Sequence, residues 1–422
     1  MYNVRVENYL PRLADVELRE LMTSVGAVLV EGPKACGKTA TARRVAAKVF
    51  EMDQDSTARS SIEVNPDFLF HQPTPILFDE WQVTPELWNR VRRAVDSAHR
   101  GRGLFILTGS ATPRDDAHRH SGAGRFGVLR MRPMSLFESR HSTGQVSLSA
   151  LLNGTSQNGD DNGMSVSDLM ERVVIGGWPD LLDADEKQAR RWLAGYINQI
   201  IEVDVPSFVG RRDPRALTRV LASLARFVGQ SPATTKIAAD AGGERGPLNR
   251  LTAQGYVDAL DRLQLLDNSE AWQPHMRSRA RLRQAPTRYF VDPSIGATAL
   301  GVNSADLMND LEAAGYFFES LVVRDLRVYS QPLGGRVDTW RDEHGKEIDA
   351  VVTLPGGGWA AIEIKMSQRD VDKAASNLLA FTERVDTKKQ GQPSALIVIT
   401  ATGVAGQRKD GVHVVPITAL GP

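Results

Sequence analysis

A glycine-rich turn between an apolar segment and a helical one limits the folds open to this chain more than any other feature. Residues 25–30 read VGAVLV, and a short valine-rich run is typical of a buried strand. The turn GPKACGKT follows at residues 32–39, and residues 39–50 have helical periodicity. Strand, GxxxxGK[ST] turn and helix in this order are the context of a P-loop. We therefore predict an α/β fold whose first domain is a parallel sheet of the P-loop NTPase type.

The residue types of this turn suit the binding of phosphate. Glycines let backbone N–H groups curl around a β-phosphate, and the N-terminus of the following helix adds partial positive charge. We expect Lys38 to reach the β- and γ-phosphates and the Thr39 hydroxyl to coordinate Mg²⁺. Because Cys36 lies inside the loop, alkylation of its thiol is expected to block ATP binding. The predicted ATP-binding residues are Gly32, Pro33, Lys34, Ala35, Cys36, Gly37, Lys38, Thr39 and Ala40.

A second apolar segment ends in two carboxylates. Residues 75–80 read PILFDE, which predicts a strand that delivers Asp79 and Glu80 to its carboxyl end. We expect Asp79 to hold Mg²⁺ through water and Glu80 to polarise the attacking water, as in NTPases that hydrolyse their nucleotide. A protein that only binds nucleotide does not need the second carboxylate. The pair therefore favours hydrolysis, with Lys38 and Glu80 as catalytic residues.

Further catalytic candidates lie at the end of the predicted strand at residues 103–110 and in the segment beyond it. In additional-strand NTPases the end of this strand presents a hydroxyl or amide to the γ-phosphate, so Ser110 is the first candidate and Thr108 the second. The alternative is a strand that ends in an ordinary turn. Arg125 has glycines nearby on both sides and is a candidate arginine finger, or else an ordinary surface arginine. If Arg125 acts on a neighbouring chain, the protein is an oligomer.

The formal net charge of zero conceals a basic middle segment. Residues 206–300 carry 14 basic and 8 acidic side chains, whereas the segments before and after are each mildly acidic. Helical patterns at 215–229, 234–242 and 247–268 precede a strand-like segment at 286–294, which is the order of a winged helix. The arginines at alternate positions before that segment would line one face of a strand: Arg277, Arg279, Arg281 and Arg283.

These charges favour DNA or RNA as a partner of residues 206–295. Two alternatives stay open: the face contacts another domain of the same chain, or the charges are solvated surface. The preceding residues 141–167 are rich in Ser, Gly, Asn and Asp, which predicts an exposed loop or insertion.

The last part of the chain places four charged residues in a second pattern. Glu363 and Lys365 are two positions apart on a predicted strand, so both side chains leave the same face. Asp349 lies on the preceding strand, and a helix that carries Glu319 can pack across both. Asp followed by Glu-x-Lys across a hairpin is the metal-ion arrangement of restriction-endonuclease-like nucleases. Glu-x-Lys alone is weak, because charged pairs alternate on many exposed strands, and many such cores only bind.

Length and composition set the remaining expectations. A chain of 422 residues is expected to hold two to four domains, and we predict borders that give 1–140, 141–205, 206–295 and 296–422. The single cysteine excludes an internal disulfide framework and suggests a reducing compartment. The sequence has neither a signal-peptide pattern nor an apolar run long enough for a membrane helix. We therefore expect a cytoplasmic protein without membrane contact.

Taken together, these segments resemble a family of bacterial and archaeal AAA-like P-loop ATPases whose C-terminal half is a domain of unknown function with a restriction-endonuclease-like fold. Besides the P-loop, the resemblance rests on Phe78-Asp79-Glu80, Leu-Thr-Gly-Ser110, Arg132-Pro-Met-Ser-Leu-Phe-Glu138, Gly-Gly-Trp-Pro179, Val291-Asp292-Pro293, Phe317-Phe-Glu319, Glu347-Ile-Asp349 and Glu363-Ile-Lys365. It implies ATP binding and hydrolysis and a winged helix in the middle. This chain has Glu202-Val203-Asp204 where the family often has Glu-Arg-Asp, which puts a nucleotide-sensing role of that arginine in doubt.

Three functions follow as hypotheses. The first is a Mg²⁺-dependent ATPase that couples its nucleotide state to the C-terminal module. The second is an ATP-gated nuclease or DNA-binding switch, with Glu319, Asp349, Glu363 and Lys365 as its cutting centre. The third is a nucleotide-dependent interaction scaffold without catalysis.

Overall fold

The computed structural model describes residues 9–98, 101–109, 121–206, 213–244, 246–273, 285–342 and 344–422. The chain divides into two compact units: Met1–Pro133 with Arg262–Gln264, and Met134–Asp261 with Leu265–Pro422. The domain borders after residues 140, 205 and 295 stay predictions. Within the described ranges, no helix combines the length and apolar character needed to cross a membrane.

The first unit is built around a five-stranded parallel sheet, as the P-loop context predicts. Its strands are β1 (Ala27–Glu31), β2 (Lys48–Glu51), β3 (Ile76–Asp79), β4 (Phe105–Gly109) and β5 (Phe126–Arg130). The strand order is β2-β3-β4-β1-β5. Strand β4 therefore separates the strand before the P-loop from the strand that ends in Asp79. The helices are α1 (Ala14–Ser24), α2 (Lys38–Arg43), α3 (Ser56–Val64), α4 (Asp67–Phe70) and α5 (Glu86–Ser97).

The helix after the P-loop is shorter than its periodicity predicts. It ends at Arg43, and the last residues of the predicted helix form strand β2 instead. The reason lies in tertiary packing: Phe50 stacks on Phe78 with 5.7 Å between ring centroids, and β2 pairs with β3. Burial of an aromatic side chain against the neighbouring strand outweighs the weak helical preference of this segment.

The second unit begins with helices and ends in a sheet. Its helices, in the described residues, are α6 (Leu148–Leu152), α7 (Val166–Ile175), α8 (Glu186–Gln199), α9 (Pro214–Arg226), α10 (Thr234–Asp240), α11 (Arg250–Arg262), α12 (Pro293–Leu300), α13 (Ser304–Asn309), α14 (Leu311–Ser330), α15 (Val371–Arg384) and α16 (Thr387–Gln390). A π-helical turn, Ile200–Asp204, extends α8. Several helices start as their sequences predict: Ser165 and Asp168 form a capping box for α7, and Asp213 caps α9 ahead of Pro214.

The C-terminal part of this unit contains a seven-stranded mixed sheet. Its strands are β7 (Gly159–Asp160), β8 (Arg336–Arg341), β9 (Glu347–Thr353), β10 (Trp359–Lys365), β11 (Ala395–Thr400), β12 (Val404–Gln407) and β13 (His413–Pro416), in the order β7-β12-β13-β11-β10-β9-β8. Strands β8, β9 and β10 form an antiparallel meander, and β11 lies parallel to β10 after helix α15. The predicted hairpin of Asp349 and Glu363 is thus present, whereas the restriction-endonuclease-like assignment stays a prediction.

The polar segment at 141–167 is only in part the exposed loop or insertion that its composition predicts: residues 153–156 are exposed, but other parts form regular elements. Strand β6 (Val146–Ser147) pairs with β14 (Leu420–Gly421), and β7 adds an edge strand to the large sheet beside β12. Helix α6 between them buries Leu148, Leu151 and Leu152. The leucine spacing after the capping residue Ser147 was a signal for this helix, and the polar composition around it concealed the signal.

The three predicted helices of the middle segment are present as α9, α10 and α11. The segment that follows packs against the C-terminal sheet: Trp272 N donates to Thr339 O at 2.6 Å, and its ring lies 5.0 Å from that of Trp359. Residues 266–269 and 287–290 approach through two isolated bridges rather than as a regular hairpin. Arg277, Arg279, Arg281 and Arg283 lie outside the described residues. The winged helix and its contact with nucleic acid stay predictions.

Candidate active site

The phosphate loop joins β1 to α2 with a backbone that few residue types can adopt. Gly32, Ala35 and Gly37 have φ of 155°, 62° and 100°. A Cβ at Gly32 would lie 2.4 Å from the carbonyl oxygen of Met131, so a side chain there would clash with backbone. Gly37 precedes the first turn of α2 in the left-handed region, which glycine enters without steric cost. The backbone conformation and the close contact therefore explain why the pattern has glycine at positions 32 and 37.

The side chain of Lys38, near the end of the loop, folds back against the loop's first residues. Its ammonium donates to the carbonyl oxygens of Gly32 at 2.9 Å and Pro33 at 2.7 Å, and the side chain is buried. A phosphate in the loop would offer charged oxygens in place of two neutral carbonyls, and charge-assisted hydrogen bonds are the stronger. The Lys38 ammonium therefore needs to move only a short distance to exchange these carbonyl oxygens for phosphate oxygens.

The hydroxyl groups of two threonines converge on Asp79. Thr39 Oγ1 donates to Asp79 Oδ1 at 2.8 Å, and Thr108 Oγ1 donates to the same oxygen. This contact follows from the strand order, because β4 lies between the strands that lead to Thr39 and to Asp79. Of the two candidates on this strand, Thr108 is therefore placed in the site, whereas Ser110 lies outside the described residues.

These oxygens form a donor set that suits Mg²⁺. Hydroxyl and carboxylate oxygens are the ligands that this hard cation prefers, and it usually keeps several waters and phosphate oxygens besides. Thr39 and Asp79 share a hydrogen bond that a cation between them would replace. The residues present therefore fit the ion predicted from the sequence.

Glu80 has a strained backbone beside this site. Its φ of 53° is uncommon for a residue other than glycine, and such strain concentrates at functional sites. Its carboxylate accepts a hydrogen bond from Gln82 Nε2. A Cβ at Gly109 would lie 2.6 Å from Gln82 Oε1, so the Leu-Thr-Gly sequence leaves room for that amide. Gln82, which no sequence pattern singles out, thus holds the predicted catalytic carboxylate.

Arg125 is engaged within its own chain. Its Nε donates to Asp96 Oδ1 at 2.8 Å and its Nη1 to Ala123 O at 3.0 Å, with 42% of the side chain exposed. An exposed ion pair of this kind contributes at most about 1 kcal/mol, so it could open at little cost. The arginine-finger role, and the oligomer that it would imply, stay predictions.

Cys36 is fully buried inside the loop. Its carbonyl oxygen accepts a hydrogen bond from Arg12 Nη1 at 2.9 Å. A thiol reagent would reach Cys36 only if the loop opened, so slow alkylation would not contradict this placement of the loop. The arginine is a residue that sequence reasoning missed, because nothing in the N-terminal segment marks it as part of the phosphate site.

A second charged cluster lies in the second unit, where the sequence predicts a nuclease-like centre. Lys365 Nζ lies 3.0 Å from Asp349 Oδ2 and 2.7 Å from Glu363 Oε2. The backbone N–H of Ile364 donates to Asp349 at 2.7 Å, and Asn377 donates to Glu363 at 2.5 Å. Three of the four predicted residues are therefore in direct contact.

The two carboxylates of this cluster stabilise the charged form of Lys365. Burial raises the pKa of Glu363 to about 7, with a further contribution from the charge of Asp349. Burial alone would lower the pKa of Lys365, but Asp349 and Glu363 raise it above its usual value. Lys365 therefore stays charged and bridges the two carboxylates.

Glu319 lies at one wall of an adjoining cavity of about 410 Å³. It accepts a hydrogen bond from Tyr289, and burial raises its pKa well above the usual value, with Asp349 adding to the effect. The cavity is also lined by Glu347, Asp349 and Lys236. In the described ranges, however, no three His, Cys, Asp or Glu residues are arranged to hold a metal ion. A metal between Asp349 and Glu363 would have to displace the Lys365 ammonium.

Three segments of the resemblance meet helix α14 in a buried ionic network. Arg324 Nη1 lies 2.9 Å from Asp292 Oδ2, and Arg324 Nη2 lies 2.7 Å from Asp325 Oδ1. Asp292 also accepts from Gly177 N at 3.0 Å, and Asp325 from Leu136 N at 2.9 Å. Arg132-Pro-Met-Ser-Leu-Phe-Glu138, Gly-Gly-Trp-Pro179 and Val291-Asp292-Pro293 thus contribute backbone or side chains to one junction with helix α14.

Three family models match successive parts of the chain. One described as "AAA domain" matches residues 24–139, which contain the phosphate loop, Asp79 and Glu80. "Domain of unknown function (DUF8612)" matches residues 166–306, and "Domain of unknown function (DUF4143)" matches residues 314–420. The first match agrees with the geometry of the nucleotide site, and the other two assign no chemistry to the second unit.

The curated relatives are distant, and the chain spans about half the length of one of them. An uncharacterized protein of Haemophilus influenzae is 27% identical over 243 residues, which cover 56% of this chain and 55% of that protein. An uncharacterized protein of Mycobacterium tuberculosis is 24% identical over 349 residues, 82% of this chain and 71% of that protein. A Walker-type ATPase of Pyrococcus abyssi is similar over 71% of this chain and 98% of its own, at 13% identity and a TM-score of 0.42, which is too low to establish a shared fold.

Proposed function

We propose that the first unit, an AAA-like P-loop domain, binds ATP with Mg²⁺ and hydrolyses it. The observation that carries this proposal is the convergence of Thr39 and Thr108 on Asp79, next to the buried Lys38 and the strained Glu80. A domain that only held nucleotide would have no use for a second carboxylate beside the first.

Each side chain has a role that its position supports. Lys38 would exchange its two loop carbonyls for β- and γ-phosphate oxygens. Thr39 and Asp79 would hold the ion, which neutralises phosphate charge when bound. The Glu80 carboxylate would give up its hydrogen bond with Gln82, orient a water and take the proton of that water. The Thr108 hydroxyl would keep Asp79 in place. Thr108 and Glu80 thus act from strands β4 and β3, and Lys38 acts from the loop after β1.

Replacing Lys38 by alanine is expected to weaken ATP binding by a factor of roughly 100 or more, because it removes a buried charge-assisted contact to phosphate worth about 3 kcal/mol. The measurement is the Kd of a fluorescent ATP analogue with Mg²⁺. Arg19→Ala is the control, since Arg19 is an exposed basic residue of helix α1, outside the phosphate loop. Equal binding by Lys38→Ala and wild type would exclude the loop as the nucleotide site.

We further propose that the nucleotide state is coupled to the second unit, and that DNA or RNA is a partner of the basic segment 206–295. The support for the nucleic-acid partner is the charge excess there, together with five basic residues that are exposed in the described part of the segment: Arg215, Arg226, Lys236, Arg250 and Arg262. Phosphate contacts from such residues would give salt-dependent binding with little sequence preference.

A nuclease centre in the second unit is a second candidate function. It is favoured by the contact of Asp349, Glu363 and Lys365 on the meander β8-β9-β10, which α15 follows and β11 extends in parallel. The carboxylates would hold the Mg²⁺ that such chemistry uses only after the Lys365 ammonium had moved from between them. The displaced ammonium would then offset charge on a phosphodiester or orient a water.

For this candidate, wild-type protein is expected to cleave at least one member of a panel of single- and double-stranded DNA and RNA, with Mg²⁺ or Mn²⁺ and with or without ATP. Asp349→Ala should lower the cleavage rate by a factor of about 100 or more, because it removes a partner of Lys365 and a ligand of the ion. Asp372→Ala, at an exposed position of α15, is the control. No cleavage by wild type under any condition would reject the nuclease and leave binding alone.

A further inference from the structure

The guanidinium of Arg12 is buried beneath the phosphate loop. Its side chain is 6% exposed, and its two terminal nitrogens make separate contacts. Nη1 donates to the carbonyl oxygen of Cys36 at 2.9 Å, and Nη2 donates to the carbonyl oxygen of Arg132 at 2.7 Å. One planar guanidinium therefore joins the loop to Arg132, which lies two residues after the end of strand β5.

The contact with Cys36 controls the direction of the next amide. A trans peptide is planar, and its C=O and N–H point in opposite directions. Because Arg12 holds the Cys36 carbonyl on one side, the Gly37 N–H of the same peptide is directed to the other side, away from the guanidinium. Gly37 immediately precedes Lys38 and the first turn of α2, where unpaired N–H groups receive a phosphate.

Other contacts fix Arg12 itself. Its backbone N–H donates to Asp15 Oδ2 at 3.1 Å, and Asp15 Oδ1 accepts from the Tyr9 hydroxyl at 2.6 Å. The Tyr9 oxygen also lies 2.8 Å from Thr41 Oγ1 on the helix after the loop. The N-terminal segment is thus hydrogen-bonded to the loop at Cys36 and to the following helix at Thr41. Lysine could not replace Arg12 here, because its single nitrogen lacks the planar fork that spans both carbonyls.

We propose that Arg12 is a positioning residue for the nucleotide, which presets the Cys36–Gly37 peptide so that the Gly37 N–H is available to the polyphosphate of a nucleoside triphosphate. This inference rests on the proposed function of the loop. Arg12 lies about 20 positions ahead of the P-loop motif and is also bonded to the Arg132 carbonyl oxygen. The proposed role adds this residue to those that determine phosphate affinity.

The single cysteine of the chain permits a direct test. Labelling with ¹³C′-cysteine and ¹⁵N-glycine makes Cys36–Gly37 the sole labelled Cys-Gly pair, so a carbonyl-filtered amide spectrum contains one signal, that of Gly37. In wild type, this signal is expected to shift on addition of Mg²⁺ and a non-hydrolysable ATP analogue. In Arg12→Met it should start at a different position without nucleotide and shift less at saturation.

Affinity provides the second measurement. Arg12→Met and Arg12→Lys are expected to raise the Kd of the same analogue about tenfold or more. Arg19→Met, at an exposed position of helix α1, should change it less than twofold. Thermal unfolding without nucleotide identifies any variant that fails to fold, and Arg12→Lys serves as the test if Arg12→Met does not fold.

The outcomes separate the proposed function of the loop from the role of Arg12. If wild type does not bind the analogue and its Gly37 signal does not move, the proposed function fails. If wild type binds but a folded Arg12 variant has the wild-type Kd and the wild-type Gly37 shift, the positioning role of Arg12 is wrong while the nucleotide site stands.

Discussion

Replacing Glu80 by glutamine is expected to leave ATP bound and to lower the turnover rate by roughly 10²- to 10⁴-fold, the usual contribution of a general base. Glutamine keeps the size of the side chain and an oxygen that can still accept from Gln82 Nε2. The strained backbone at residue 80 is therefore expected to persist, and only the ability to take a proton is lost. Phosphate release in a single turnover measures the rate, and the fluorescent analogue measures binding.

Glu86→Gln is the matched control, because Glu86 is an exposed glutamate at the start of α5 in the same unit. Its turnover should equal that of wild type. A Glu80→Gln protein that turned over ATP at the wild-type rate would show that another group activates the water. If wild-type protein released no more phosphate than a blank without protein, hydrolysis itself would be rejected. If the protein then cleaved no nucleic acid either but still bound ATP, a nucleotide-dependent scaffold would be the remaining function.

The parts of the nucleotide site that could be predicted from the sequence are those with a local cause. The GxxxxGK[ST] turn between a strand and a helix is specific to phosphate binding, so Lys38 and Thr39 could be placed by spacing alone. Asp79 and Glu80 follow an apolar run, and the carboxyl ends of parallel strands meet at one edge. Strand β4 lies between β1 and β3 and brings the Thr108 hydroxyl to Asp79, a contact that the sequence did not predict.

The parts that could not be predicted depend on contacts between distant segments. Arg12 reaches a carbonyl 24 residues away and another 120 residues away, and a backbone acceptor has no sequence signature. The polar stretch at 141–167 joins the chain's last strands because β12 and β14 offer free edges, which composition cannot reveal. Likewise, Val49 and Phe50 leave the helical pattern only because β3 is beside them.

The buried ionic network explains why several sequence segments look like a signature without being catalytic. Gly177 needs to be glycine because a Cβ there would lie 2.0 Å from the Met134 carbonyl oxygen, and Trp178 donates to Ser294 beside Asp292. Sequence patterns of this kind reflect close backbone packing and buried ion pairs. They carry the fold of the second unit, and they need not indicate chemistry.

Replacing Arg324 by methionine is expected to destabilise the second unit by about 3–5 kcal/mol, because it leaves two buried carboxylates without their common counter-ion. Arg324 is 3% exposed and lies between Asp292 and Asp325, both of which are fully buried. Burial already raises the pKa of Asp325, against the opposing effect of Arg324. Denaturant unfolding, followed by tryptophan fluorescence, measures the free energy of unfolding.

The pH dependence of this loss distinguishes a charge effect from a cavity effect. Without Arg324, the folded-state pKa of Asp325 should rise further above its unfolded value, so the free energy of unfolding should fall as pH rises through the raised pKa. The loss in Arg324→Met is therefore expected to be larger at about pH 8 than at about pH 5. Arg226→Met, which removes an exposed arginine (64% exposed) paired with Asp240, should cost less than about 1 kcal/mol at either pH. A loss in Arg324→Met that is the same at both pH values would instead attribute the effect to lost packing around the side chain.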